Sequence, residues 1–190
     1  MGEPRPTNAP VIHGSAEFSD CGEHRIRLDR WWSDEPRALV GMANPSKAGA
    51  DRNDPTICTL NRLLYGRPGI GGYTVVNAED RIATDPADLA RWLRDMEMND
   101  RAVLRTLRTL NINRIRELSA AASVRIVAWG NLLKGGLHAE RVIRAMSLDG
   151  KRPLYAFGTT ADGAPKHPMA RGHHRIPLGQ PLVEWRPASA

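Results

Sequence analysis

"RALVGMANPSKAGADRNDPTICTLNRLLYG", residues 37–66, carries a strand, a loop and a helix in one stretch. Ala38 to Ala43 is an apolar run of the length and character of a buried strand. Asp54 followed by Pro55 is a helix start, an N-cap acid before a proline in the first helical position. Ile57, Leu60, Leu63 and Leu64 then recur at helical spacing until Gly66 stops the pattern. Between strand and helix lies a loop holding Asn44, Ser46, Lys47, Asp51, Arg52 and Asn53. A strand that hands over to a helix through so polar a loop is half of a βαβ unit, and such loops hold ligands.

The same alternation extends in both directions. Strands are expected over 24–32, 71–80, 124–130 and 152–158, and "VRIVAWG" at 124–130 is apolar enough for a central strand. Helices are expected over 85–96, over 99–122 with a break near Asn111 to Asn113, and over 136–147. Together these predict a three-layer α/β/α sandwich around a central, mostly parallel sheet. Residues 1–14, with three prolines, read as a flexible N-terminal arm, and 15–190 as a single domain.

Bulk composition narrows the partner. The 190 residues include 27 Lys and Arg against 21 Asp and Glu, a formal charge of +6 dominated by arginine. Guanidinium forks suit phosphate, so a polyanionic partner is expected. Cys21 and Cys58 have no metal-ligand spacing and read as free thiols of a reducing compartment. Nothing resembles a membrane span or a signal peptide, so a cytoplasmic monomer without membrane association is expected. No phosphate-binding glycine motif is present, and neither cofactor nor metal is expected.

In an open α/β sheet the ligand lies beyond the carboxyl ends of the strands. Those ends here are Ala43-Asn44-Pro45, Val76-Asn77, Trp129-Gly130-Asn131 and Gly158-Thr159, all polar or glycine-bearing. Asn44 suits either a turn before proline or a ligand contact, and Ser46 either a local turn or substrate binding. Asp54 is explained as a cap, which leaves Asp51 as the unassigned acid of the loop and a candidate general base. Trp129 suits core packing or a stacking surface. His173 and His174, with Arg171 and Arg175, suit a phosphate-contacting rim or a solvated loop.

Four of these motifs, in order, carry a resemblance. "GMANPSKAGADRNDPT", "VVNAEDRIATDP", "VAWGN" and "DGAPKHPMA" resemble an uncharacterised bacterial and phage family with LNPSxA…DPT, VVN, AWG and HP signatures, from about Arg25 to Trp185. More distantly the same ordered motifs look like those of the uracil-DNA glycosylase superfamily. "GMANPS" resembles its mismatch-specific motif 1, "LNRLL" its NR-containing helix, and "KHPM" its late HPS motif. The resemblance implies a glycosylase-like sheet and a set of roles. Asn44 positions the attacking water, with Asp51 as the second choice. Asn77 reads a pyrimidine edge, with Ser46, Trp129 and Asn131 beside the base. His167 donates to the base O2 as negative charge develops. Met169 wedges the duplex, with Arg171 and Lys166 near the DNA. Ser46 replaces the third-position glycine, the serine of HPS is missing, and no Phe stands in the stacking position, so Tyr65, Trp129, Trp31 or Trp32 would supply that ring.

The activity that the resemblance implies is that of a DNA glycosylase, a hydrolase that flips a modified pyrimidine out of duplex or single-stranded DNA and cleaves its N-glycosidic bond without a metal. Two alternatives stand beside it. One is a catalytically inactive base-binding module. The other is a nucleotide or modified-base metabolic enzyme, in which Asp51 and Asp54 would hold Mg²⁺ near a phosphate.

Overall fold

The computed structural model describes residues 11–133 and 135–189. Strand β1 (His13–Phe18) opens the described chain and is followed by β2 (Arg25–Trp31) and β3 (Arg37–Met42). Helix α1 (Pro55–Leu64), strand β4 (Gly72–Asn77) and helices α2 (Pro86–Asn99) and α3 (Arg101–Ala121) come next. Strand β5 (Arg125–Val127), helix α4 (Gly136–Met146), strand β6 (Leu154–Ala156) and strand β7 (Val183–Arg186) complete the order. Residues 1–10 of the expected arm lie outside the described residues, while His13 and Gly14, assigned to it, begin β1 instead.

The seven strands form one sheet in the order β1-β2-β4-β3-β5-β6-β7. Its centre, β4-β3-β5-β6, is parallel, and β2 and β7 run the other way at its flanks. The α/β class is as expected, and five of the seven strands share one direction because β1 is antiparallel to β2.

Each face of the sheet has its own apolar cluster, as alternation along buried strands requires. Ala38, Val40 and Met42 of β3 meet Ile57, Leu60, Leu63 and Leu64 of α1 on one face. Burying each of the Val, Met, Ile and Leu side chains among them is worth roughly 1.5–3 kcal/mol. Leu39 and Val127 meet Ile112 and Ile115 of α3 and Val142, Ile143 and Met146 of α4 on the other. α2 lies against α3. The helical layers therefore hold the strand ends clear at one edge of the sandwich.

The expected break in α3 is absent. Asn111 is buried inside an unbroken helix, and its amide donates to the carbonyls of Asn77 at 2.9 Å and Ala78 at 3.1 Å. Its polarity thus serves a tertiary contact and leaves the helix ladder intact. Among the described residues no helix is long and apolar enough to cross a membrane.

Two glycines allow close approaches in the sheet. A Cβ on Gly41 would fall 2.4 Å from Met146 Sδ, and one on Gly72 would fall 2.5 Å from the backbone oxygen of Arg30. A thioether end can swing aside, whereas a paired strand cannot. Gly72→Ala is expected to destabilise by about 1–3 kcal/mol, with Gly41→Ala at the lower end of that range. Chemical denaturation checks the order, and equal costs would contradict it.

Candidate functional site

The carboxyl end of β3, Arg25 of β2, the start of α1, the segment after β4 and His167 line a cavity of about 150 Å³. Arg25, Asn44, Ser46, Asp54, Thr84 and His167 are among its lining residues. Drug-sized ligands occupy about 300–1,000 Å³, so this space suits a single small ring. None of its lining residues among those described is Trp, Tyr or Phe.

Asn44 follows β3 directly. Its Nδ2 donates to the Ala83 carbonyl at 2.8 Å and to that of Pro45 at 3.3 Å, and Ala83 N returns a bond to Pro45 O at 3.1 Å. The amide nitrogen thus clips the segment after β4 to the NP turn. Oδ1, with no protein partner among the described residues, is the atom Asn44 can offer a ligand.

Asp54 caps α1 as its position before Pro55 foretold, with Oδ1 accepting from Ile57 N at 2.8 Å. It also does what the sequence did not indicate. Oδ2 accepts the Ser46 hydroxyl, and both residues line the cavity. The cap therefore holds a carboxylate at the cavity wall.

Arg25 is the residue that sequence reasoning missed. Simple alternation in "HRIRLDR" sets it on the face opposite Leu28 and Arg30. The β1–β2 register instead pairs Glu17 with Arg27 and Phe18 with Arg25, leaving Ile26 unpaired. That slip brings Arg25 onto the side of the 46–53 loop, where Nη1 donates to Ala48 O at 3.2 Å and Nη2 to Asn77 Oδ1 at 3.1 Å. Arg25 is only 3% exposed, and its Nε has no partner. No carboxylate lies within 4.0 Å of it among the described residues. Burial pulls its pKa down to about 10, with the negative charge of Asp54 opposing the shift.

His167 arrives by a turn-back after β6. Thr159 bridges Pro165 and Lys166 N donates to Gly158 O at 2.8 Å, which sets His167 against Gly130 of the AWG motif. Met169 N donates to His167 Nδ1 at 3.1 Å, so in the neutral ring the proton resides on Nε2, a donor. Burial lowers the imidazole pKa, only partly offset by Asp54, and thereby favours this neutral form.

The other expected site residues are distributed differently. Asn77 is 2% exposed and does not line the cavity; it orients Arg25, and its Nδ2 is buried without a partner. Trp129 is 2% exposed and packs edge-on against Trp185 in the α3/α4 cluster, so it is a core residue and presents no stacking face to the cavity. Asn131 is exposed and outside the cavity lining. Asp51 is exposed beside a separate cavity with His13, Arg30 and Trp31, which removes it from the company of Asn44 and His167. Trp31 is stacked on His13 and covered by Arg37, and Trp32 packs on Tyr65 and Tyr73.

Met169 and Arg171 line a neighbouring cleft of about 680 Å³ with Thr59, Arg62, Arg175 and Leu178. Met169 Sδ lies 3.4 Å from the Thr59 hydroxyl, which donates to Pro55 O at 2.9 Å, so the turn from His167 to Met169 is seated on α1 with the small cavity on one side and the arginine-lined cleft on the other. Lys166 is half-buried against Gly158.

Fold and site together define an α/β protein with a polar, ring-sized cavity at the ends of its parallel strands. By sequence the chain belongs to the family described as "Protein of unknown function (DUF1643)", whose profile matches residues 25–169. An uncharacterised family was the expectation from the motifs, and the match begins at Arg25 itself. No curated protein matches the chain. No solved structure matches it.

Two half-buried histidines make stability depend on pH. Burial lowers the pKa of His167, and of His138, which lies between Glu79, Arg108 and Arg141, below the usual 6.5. The unfolded chain therefore binds more protons, and stability that is full above that value is lost as pH falls through it toward the folded values. His167→Gln and His138→Gln are each expected to flatten the fall in melting temperature between pH 7 and pH 5. An unchanged slope in both variants would contradict the assignment.

Proposed function

We propose that this chain is a DNA glycosylase-like protein that receives one flipped base in the cavity and hydrolyses its N-glycosidic bond. The observation that carries the reading is the convergence of Asn44, Ser46 and His167, from separate segments, on a ring-sized space beside an arginine-lined cleft. Breaking the bond leaves a cationic sugar and an anionic base. A neutral His167 with Nε2–H toward the base meets the developing negative charge without first carrying a charge of its own. Asn44 Oδ1 holds water on the sugar side.

The cleft supplies what extraction of a base needs. Unstacking costs a few kcal/mol, and an apolar side chain such as Met169 at the cleft wall is suited to fill the gap left in the duplex. Arg62, Arg171 and Arg175 meet phosphates there, which makes binding fall with salt. With Asn77 withdrawn from the cavity, edge reading passes to Arg25, a group different from that of a uracil-specific site. The substrate class is accordingly a modified pyrimidine.

Incubating the protein with DNA bearing a panel of modified bases, and analysing released bases by mass spectrometry, tests this reading. Base release is expected from at least one substrate, and His167→Ala should slow it by about 10²–10³-fold. Stabilisation by free nucleotides with no affinity for DNA would replace this reading with that of a nucleotide-metabolising enzyme. Tight DNA binding with no release across the panel would replace it with a binding module.

A further inference from the structure

We infer that Asp54 is the carboxylate that takes the proton of the attacking water, an inference that rests on the glycosidic reading above. As a helix cap Asp54 has a sufficient structural explanation from its sequence position, and the structure adds to it. One carboxylate oxygen accepts the Ile57 N–H, the other accepts the Ser46 hydroxyl, and the residue lines the cavity with Asn44 and His167. An ionised carboxylate has about four lone-pair sites, so two remain after these bonds. The two bonds made also fix the plane of the group, as a general base requires.

A second, independent observation points to a ligand here. Arg25 lines the same cavity at 3% exposure, with Nε unpartnered and no carboxylate within salt-bridge distance among the described residues. The fold thus holds a guanidinium and a carboxylate around one cavity without pairing them. Paired, they would cancel; held apart, each keeps hydrogen-bonding capacity for what enters between. Asp51, the acid favoured from the sequence, is absent from this lining.

The step balances as follows. The water oxygen bonds to C1′ as the C1′–N bond breaks, and the electron pair of that bond leaves with the base. Asp54 accepts the proton released by the water, and His167 Nε2–H hydrogen-bonds the charge on the base. The proton on Asp54 passes to the departing base or to solvent, which restores the carboxylate.

Asp54→Asn separates the two roles of the residue. Asparagine is as good an N-cap as aspartate, so the melting temperature should stay close to that of the wild type, but it cannot act as a base. Single-turnover release from the best substrate of the panel should fall about 10²–10⁴-fold, with DNA affinity changed less than about threefold. Asp54→Ser, a second capping residue, serves if the asparagine variant folds poorly, and Asp51→Asn should retain the wild-type rate. Undiminished release by a folded Asp54 variant, alongside the loss in His167→Ala, overturns this inference and leaves the glycosidic reading standing. A wild type that releases no base from any substrate overturns both.

Discussion

Two arginines of β2 bring guanidinium groups into the interior, and the path of the loop after β3 follows from their need for acceptors. A buried donor without a partner costs about 1–3 kcal/mol, and the 46–53 loop supplies carbonyls. Arg25 takes that of Ala48, and Arg30 takes that of Gly49 at 2.6 Å, with Asn53 Oδ1 accepting from Arg30 Nε at 2.9 Å. Held in this way the loop runs across β2, and Ala48 joins Leu28 in the α1-side core. Its far end delivers Asp54 to cap α1 beside Ser46. The polar stretch between strand and helix is thus a lashed segment whose two ends, NPS and DPT, meet at one cavity.

That construction leaves a charge to account for. Asp29 is bonded within the sheet to Thr74 and Arg37, but Arg25 has only the neutral oxygens of Ala48 and Asn77. Neutral acceptors satisfy hydrogen bonds without cancelling charge, and burial then depresses the pKa of the group, as it does here. Asn77 is part of the same arrangement. Its oxygen must face Arg25, which forces its Nδ2 to remain an unpartnered donor, while Asn111 secures its backbone carbonyl from α3. A residue expected to touch the ligand instead holds the one that does line the cavity.

How far the site was legible follows from which physical rules are local. Asn44, Ser46 and His167 were found because strand ends and turn motifs are visible in short windows, and the α/β topology brings such ends together. The cap at Asp54 was equally visible, but its second oxygen meets a serine eight residues earlier only once the loop is folded. Arg25 was hidden by a single unpaired residue, Ile26, because period-2 reasoning assigns the wrong face to everything beyond a register slip. β1 was masked by the proline-rich composition just before it, and the asparagines of α3 read as a break because the partner of Asn111 lies in β4. Trp129 was a candidate as a ring at a strand end and Asp51 as the loop acid without a capping role, and burial on the opposite face and exposure at another cavity separate them from the site.

Size and charge together bear on what the proposed site would take. A cavity of about 150 Å³ lined by Arg25 and Asp54 is smaller than a nucleotide, whose sugar and phosphate need room elsewhere. The neighbouring cleft, several times larger and carrying three arginines with an apolar wall, offers that room across the turn from His167 to Met169. A ligand that spans both has a compact polar ring at one end and a phosphate-bearing chain at the other. On the proposed reading a polymer would meet this division better than a free nucleotide, since its phosphates would reach the cleft arginines beside one displaced ring. The same turn borders both spaces, with Met169 N donating to the imidazole Nδ1 while the Met169 side chain lies against Thr59 at the cleft.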